Sequence, residues 1–228
     1  MSKHNTKEEL EHDALVDFIN KSLTFFNANK TTILSVGVTL IVVVAVLFGY
    51  NYYSSNQESK AQILLAGAEN FYSQGDYQTA LNGDEASYTA GFIEIATKYA
   101  GTNAGNLATY YAAVSSYKLD KNEDALSYIQ NYKHVEGILG VGSLSFEGAL
   151  LELNGSFDQA AQIYEKAASW DINDSTTPFN LYKAALAYKK AGNLEKTKAL
   201  AAKIIQDYPN SAEFVESERL QGQLAVAN

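Results

Sequence analysis

The side chains able to do chemistry are few and poorly placed for it. His4, His12 and His134 are the only histidines, and their spacing does not converge on a metal ion. There is no cysteine, which excludes a thiolate zinc site, a disulfide scaffold and cysteine catalysis. Gly137, Gly140 and Gly142 imitate a phosphate-cradling loop only superficially, since no strand precedes them and no Lys-Ser/Thr follows. Serines are plentiful, but none stands in a G-x-S-x-G elbow or beside a partner histidine. The acidic residues follow no calcium-loop pattern. The sequence therefore implies no enzyme, no cofactor, no metal and no small-molecule substrate.

Composition narrows the partners. The chain of 228 residues has 17 basic against 26 acidic residues and a formal net charge of −9. Arg219 is its single arginine. Phosphate backbones are bound by clustered Lys and Arg, so nucleic acid is excluded as a partner. Apolar residues at 46% against charged residues at 19% supply a core. Two prolines and 16 tyrosines favour long, uninterrupted elements with amphipathic aromatic surfaces.

Between Thr31 and Gln57 there is no charged residue. Within that stretch, Ile33 to Tyr50 is almost wholly apolar and reaches roughly 27 Å as a helix, close to the ~30 Å of a bilayer's hydrocarbon. Strands rarely exceed about 10 residues, so length decides against a strand despite the β-branched run from Ile41 to Val44. Tyr50, Tyr52 and Tyr53 stand where an aromatic belt would meet the headgroups. A largely polar segment of 30 residues precedes the span and no Ala-x-Ala site follows, which favours an uncleaved anchor over a signal peptide. Lys3, Lys7, Lys21 and Lys30 precede the span, whereas only Lys60 lies near it on the other side, so the N-terminus is expected in the cytoplasm.

The segment before the anchor has its own pattern. Thr6-Lys7-Glu8-Glu9 reads as a capping box. Leu10, Ala14, Leu15, Phe18, Ile19, Ser22, Leu23 and Phe26 then recur at helical spacing. This predicts a short amphipathic helix, a spacer or a surface for the inner leaflet or a membrane partner. The expected organisation is a cytoplasmic segment over 1–30, a transmembrane helix over 31–53, a linker over 54–60 and a repeat domain over 61–228.

The repeat rests on one spacing found four times, with steps of 3, 4, 2 and 3 residues. It runs Ala68, Phe71, Gly75, Tyr77, Ala80, then Ala113, Ser116, Asp120, Asn122, Ala125. It returns as Gly148, Leu151, Gly155, Phe157, Ala160, and as Ala185, Tyr188, Gly192, Leu194, Thr197. The intervals are 45, 35 and 37 residues, near the period of a solenoid built from helix pairs. Small residues let paired helices approach, and the glycine turns the chain in the left-handed region. The long first interval holds an insertion, Asn82 to Gly91, expected to loop out before a helix over about 92–99. Asp207 to Ser211 stops one helix and offers Asn or Ser to cap the next, and Tyr99 to Ala104 is a similar stop. His134 to Gly142 reads as a glycine-rich connector, a turn rather than a hinge. Phe214 to Val226 is expected to cap the array.

These spacings resemble tetratricopeptide repeats, most specifically over Gly192 to Pro209, so the expected fold is an all-α helical-hairpin solenoid of about four hairpins on a single N-terminal transmembrane helix. One anchor followed by such repeats resembles the YfgM-type family, single-span ancillary subunits of the bacterial Sec translocon. That resemblance implies a non-catalytic accessory in the bacterial inner membrane, anchored through Ile33 to Tyr53, with its repeat domain in the periplasm. The implied partners are translocon subunits and a periplasmic chaperone or emerging secretory chains. A structural scaffold of another envelope assembly fits the same residues. In such repeats the first helix of each pair lines the groove, which implies that Leu65, Tyr72, Tyr110, Val114, Tyr117, Phe179, Tyr182 and Leu186 point into it. Tyrosines at this spacing also serve as packing between repeats, and the sequence leaves both roles open. Glu69 and Leu65 disfavour a carboxylate clamp, standing where its cations and amides would be needed.

Overall fold

The structure, a computed structural model, describes residues 7–226 and the side chains of 14–225. The Thr6 hydroxyl of the expected capping box lies outside them, as does the Leu10 side chain. The chain forms two compact units, Met1–Ser55 and Asn56–Asn228. Among the described residues the first unit consists of α1 (Lys7–Ser73), whose last turns belong to the second. Asn29 alone leaves helical geometry, at φ −118° and ψ 15°. Its side-chain amide donates to the Phe25 carbonyl at 2.9 Å, satisfying an acceptor at the break. From Ala14 onward the helix is long and apolar enough to cross a membrane. The hydroxyls of Ser35 and Thr39 donate to the carbonyls of Thr32 and Ser35, both at 2.8 Å, so these polar groups are satisfied within the helix.

The second unit is a solenoid of helical hairpins. After α1 come α2 (Tyr77–Asn82), a short antiparallel hairpin of β1 (Gly83–Asp84) and β2 (Thr89–Ala90), and α3 (Phe92–Lys98). Gly83 faces Ala90 and Asp84 faces Thr89. The expected insertion thus closes as a hairpin, and a helix follows it at Phe92. Then come α4 (Asn103–Lys118), α5 (Asn122–Asn131), α6 (Ile138–Leu153), α7 (Phe157–Trp170), α8 (Thr176–Lys190), α9 (Leu194–Asp207) and α10 (Phe214–Val226). Pairs α1/α2, α4/α5, α6/α7 and α8/α9 are the four hairpins. α10 has no partner of its own and closes the array with Leu220 and Leu224, each 3% exposed.

One backbone device turns all four hairpins. Gly75, Gly155 and Gly192 sit at φ +82°, +75° and +82°, and Asp120 takes the same left-handed conformation at +58°. Aspartate tolerates that region better than most residues, which is how the second copy keeps its turn without glycine. Each turn carries the same long bond: Asp76 N–H donates to Phe71 at 3.0 Å, and Lys121, Ser156 and Asn193 donate to Ser116, Leu151 and Tyr188, each at 2.9 Å. This double-bonded helix end satisfies the last carbonyls and reverses the chain in three residues. Asp76 and Asn193 then cap the following helix, accepting from the Thr79 and Lys196 amides at 3.1 and 3.2 Å.

Small residues hold the pairs together. Ala68, Ala80, Ala113, Ala125, Ala160, Ala185 and Thr197 are all 0% exposed. At Gly148 an added Cβ would lie 2.8 Å from the Tyr164 ring, so only glycine fits there. The Tyr99 to Ala104 stop is capped twice over. The Thr102 hydroxyl accepts from the Gly105 amide at 2.9 Å, and the Glu58 carboxylate accepts from the Asn103 and Ala104 amides at 2.6 and 3.2 Å. Glu58 belongs to the stretch read as a linker, which is in fact helical throughout. The Asp207 to Ser211 stop ends α9 as expected, but the Ser211 hydroxyl is buried with no hydrogen bond among the described residues and caps nothing.

The glycine-rich connector is shorter than its composition implies. α6 absorbs Ile138 to Gly142, because glycine at 140 lets the helix pass against the Val135 carbonyl and the Trp170 indole, where a Cβ would collide. What remains is tied down from three sides. Asn106 exchanges hydrogen bonds with the Lys133 backbone at 2.9 and 2.8 Å, and the Trp170 indole donates to the Val135 carbonyl at 2.9 Å. The His134 ring reaches the Ser143 hydroxyl at 2.8 Å and the Glu147 carboxylate at 3.2 Å. The Ser143 hydroxyl also lies 3.0 Å from the Gly140 carbonyl, so the His134 ring is tied to the first turn of α6.

Two glycines of α6 therefore answer differently to alanine. Gly142 has open space at its Cβ, so Gly142→Ala should stabilise by about 0.5–1 kcal/mol through backbone entropy. Gly148→Ala should destabilise by about 1–3 kcal/mol through overpacking on Tyr164. Thermal unfolding of the full chain in detergent, followed by circular dichroism, reads both, and equal shifts in Tm would contradict this assignment.

Candidate protein-binding groove

A recess of about 360 Å³ runs across the first helices of consecutive hairpins, bordered by Tyr117 of α4, Phe146 and Leu153 of α6, and Lys183 and Lys190 of α8. Its floor is apolar. Phe146, Ala149, Leu150 and Leu153 fall on one face of α6 at helical spacing. Phe146 meets Tyr110 and Tyr117 edge-on, with ring centroids 6.4 and 5.6 Å apart. Leu153 stands 59% exposed and Tyr117 40% along this recess, and Phe179 is 43% exposed elsewhere on α8.

The rim is ionic. Lys190 pairs with Glu152 at 2.9 Å and lies 5.3 Å from the Phe157 ring centroid. The same carboxylate accepts the Tyr164 hydroxyl at 2.9 Å. Lys183 lies 5.9 Å from the ring of Phe179, one turn away on α8. Two ammonium groups and one carboxylate thus frame an aromatic floor. The arrangement offers stacking, apolar burial and a modest positive edge, with no nucleophile and base in contact.

The expected groove residues divide. Tyr117 lines the recess, and Tyr110 and Val114 share its face of α4, both half-buried. Phe179 is exposed on α8 beside Lys183. Leu65 is a correction: it is 5% exposed and packs with Phe92 and Ile95, because the inserted helix α3 covers that side of α1. Tyr72 is drawn toward the same covering, edge-on to Tyr77, Phe92 and Tyr111 at 5.3, 6.1 and 5.0 Å. Tyr182 and Leu186 pack against the core that includes Leu220 and Leu224. Burial, then the Glu216 carboxylate, raises the Tyr182 phenol, which places that ring beside α10. Phe146, Leu153, Lys183 and Lys190 were not anticipated. The signal for the first two was the spacing 146, 150, 153, obscured by reading the start of α6 as a connector.

A tetratricopeptide-repeat family model matches residues 180–211, which cover most of α8, all of α9 and the stop after it. No curated protein matches the chain. Among the described residues no group of three or more His, Cys, Asp or Glu side chains could hold a metal ion.

Burial, then the neighbouring Glu152 charge, keeps the Tyr164 phenol neutral well above its usual range. In the unfolded chain that phenol ionises near pH 10. Above this pH the unfolded state releases a proton that the folded state retains, so stability present in full below about pH 10 is lost as pH rises. Tyr164→Phe should be less stable by about 1–2 kcal/mol at pH 7, having lost a bond to a charged acceptor. It should also lose stability less steeply above pH 10. Alkaline unfolding curves of the two proteins test this, and parallel slopes would rule it out.

Proposed function

We propose that the chain is a non-catalytic, membrane-anchored module that binds proteins through the groove of Tyr117, Phe146, Leu153 and Phe179. One observation supports the reading: Tyr117 and Leu153, on the first helices of two successive hairpins, remain exposed along a single recess, and Phe179 is exposed on the first helix of the next hairpin. A tetratricopeptide repeat suggests protein interaction, and aromatic floors of this kind suit extended polypeptide, giving apolar area and a hydroxyl at small entropic loss. The anchor is Ile33 to Tyr53, within the uncharged stretch from Thr31 to Gln57. The lysine bias supports residues 1–30 in the cytoplasm, and the resemblance to membrane-anchored repeat subunits supports a repeat unit in the periplasm of a bacterial inner membrane.

Within that frame, the resemblance to ancillary translocon subunits supports an accessory of the Sec translocon. The anchor contacts channel subunits, and the groove receives a periplasmic chaperone or an emerging secretory chain. The exposed groove equally suits a scaffold of another envelope assembly, which would hold one partner in fixed ratio through a large interface.

In-cell photocrosslinking from Tyr117 separates these readings. Secretory chains together with channel subunits support the accessory, one abundant envelope protein supports the scaffold, and no adduct removes the groove as working surface. Leu153→Asp should lower the adduct yield about tenfold, the effect of losing ~1.4 kcal/mol at a buried anchor. A tag at Asn228 that is reachable only from the cytoplasm would overturn the orientation.

A further inference from the structure

The first unit carries more apolar surface than one bilayer crossing uses. Residues 31–53 already measure roughly 34 Å as a helix, enough to fill the ~30 Å of hydrocarbon. Yet Phe18 and Phe25, ahead of that span, are 68% and 65% exposed, and Leu15 and Leu23 are 59% and 54% exposed. These residues cannot share the same crossing, because the helix from Ala14 to Tyr53 would be roughly 60 Å long.

Their arrangement is two-faced. At about 100° per residue, Phe25, Phe18, Leu15, Phe26, Ile19 and Leu23 occupy one continuous arc. The opposite arc holds Asn27, Asn20, Thr24, Asp17 and Lys21. Its charges neutralise each other, with Lys21 Nζ 3.0 Å from Asp17, and Thr24 bonds the Asn20 carbonyl at 2.8 Å. The helix breaks between this segment and the span, at Asn29, where φ and ψ leave the helical region and the side-chain amide bonds the Phe25 carbonyl. Lys30, the last charge before the span, sits at that break, with a stem long enough to keep its ammonium among headgroups.

We infer that the segment of α1 before Asn29 lies along the lipid–water interface of the membrane that the span enters, its phenylalanine arc in the acyl boundary and its Asn/Thr arc in water. This rests on the reading of residues 31–53 as a span. The occupant is lipid because the apolar face is continuous in sequence with a segment that enters lipid, and the span holds it at the surface without charge attraction. The paired Asp17 and Lys21 make that contact independent of anionic headgroups.

The absence of cysteine makes the test direct, since each single-cysteine variant takes one spin label. The full chain, reconstituted in phosphatidylcholine nanodiscs, is labelled in turn at Phe18, Leu23, Asn20, Thr24 and Val42. Relaxation by oxygen, which partitions into lipid, is compared with relaxation by a water-soluble nickel chelate. The expected result is an oxygen-to-nickel ratio several-fold higher at Phe18 and Leu23 than at Asn20 and Thr24. Equal access of nickel to all four positions would mean a solvated spacer, and shielding of Phe18 and Leu23 from both reagents would mean a protein partner or second copy. Either result overturns the inference. Val42 reports the span separately: nickel access there rejects the crossing, whereas a lipid-exposed Val42 with a solvated Phe18 rejects only the interfacial helix.

Discussion

The second unit depends on how closely the two helices of each hairpin can approach. Side chains larger than methyl at Ala80, Ala125 or Ala160 would push the pair apart, and dispersion contacts fall off steeply over even half an ångström. With those positions small, the larger residues are free to fill the space around the crossing, and Tyr164 and Tyr188 are fully buried as a result. The left-handed turn serves the same end by reversing the chain in three residues, so the second helix starts against the first. Close pairing and tight turning are one constraint met in four places, and they leave the first-helix faces free to form a recess.

That recess owes its character to what it does not need for stability. Leu153 and Phe179 contribute little to any core, yet they sit on helices fixed by burial of their opposite faces, as at Leu144 and Leu181. A rigid platform with bare aromatic and aliphatic groups loses little entropy when a partner covers it. The carboxylate of Glu152 ties the rim to the interior, because it joins exposed Lys190 to buried Tyr164. A partner that displaces Lys190 would be felt at the core of the α6/α7 hairpin.

Much of this architecture is legible in the chain. Gly75, Gly155 and Gly192 mark the turns, and the small residues at fixed offsets mark the helix contacts. Asp120 shows why the pattern tolerates drift, since what the turn requires is a conformation that aspartate can also reach. The groove was less legible because one-dimensional spacing tells which residues share a helix face but not what covers that face. Leu65 is covered by α3, an element outside the repeat period, and Tyr72 packs at the edge of the same cluster. Tyr182 and Leu186 are partly buried against the core that α10 completes. The start of α6 misled for another reason: its glycines resemble a flexible connector, while Gly140 is there to admit a neighbouring indole.

The pinned connector between α5 and α6 makes the array uneven. The larger apolar clusters lie on either side, one from α1 to α4 and one from α6 to α10, while beside the connector the core divides into two small clusters, one around Ile129 and Leu150 and one of Val141, Leu144 and Ala167. There the joint leans on directed polar contacts at Asn106, His134 and Trp170. Apolar burial and hydrogen bonding respond differently to temperature and cosolvent. If the joint yields first, the two lobes would part before either melts and unfolding would depart from a single cooperative transition. Trp170, the one tryptophan, bonds the connector at Val135, so its fluorescence would follow that parting while the backbone signal would follow the helices.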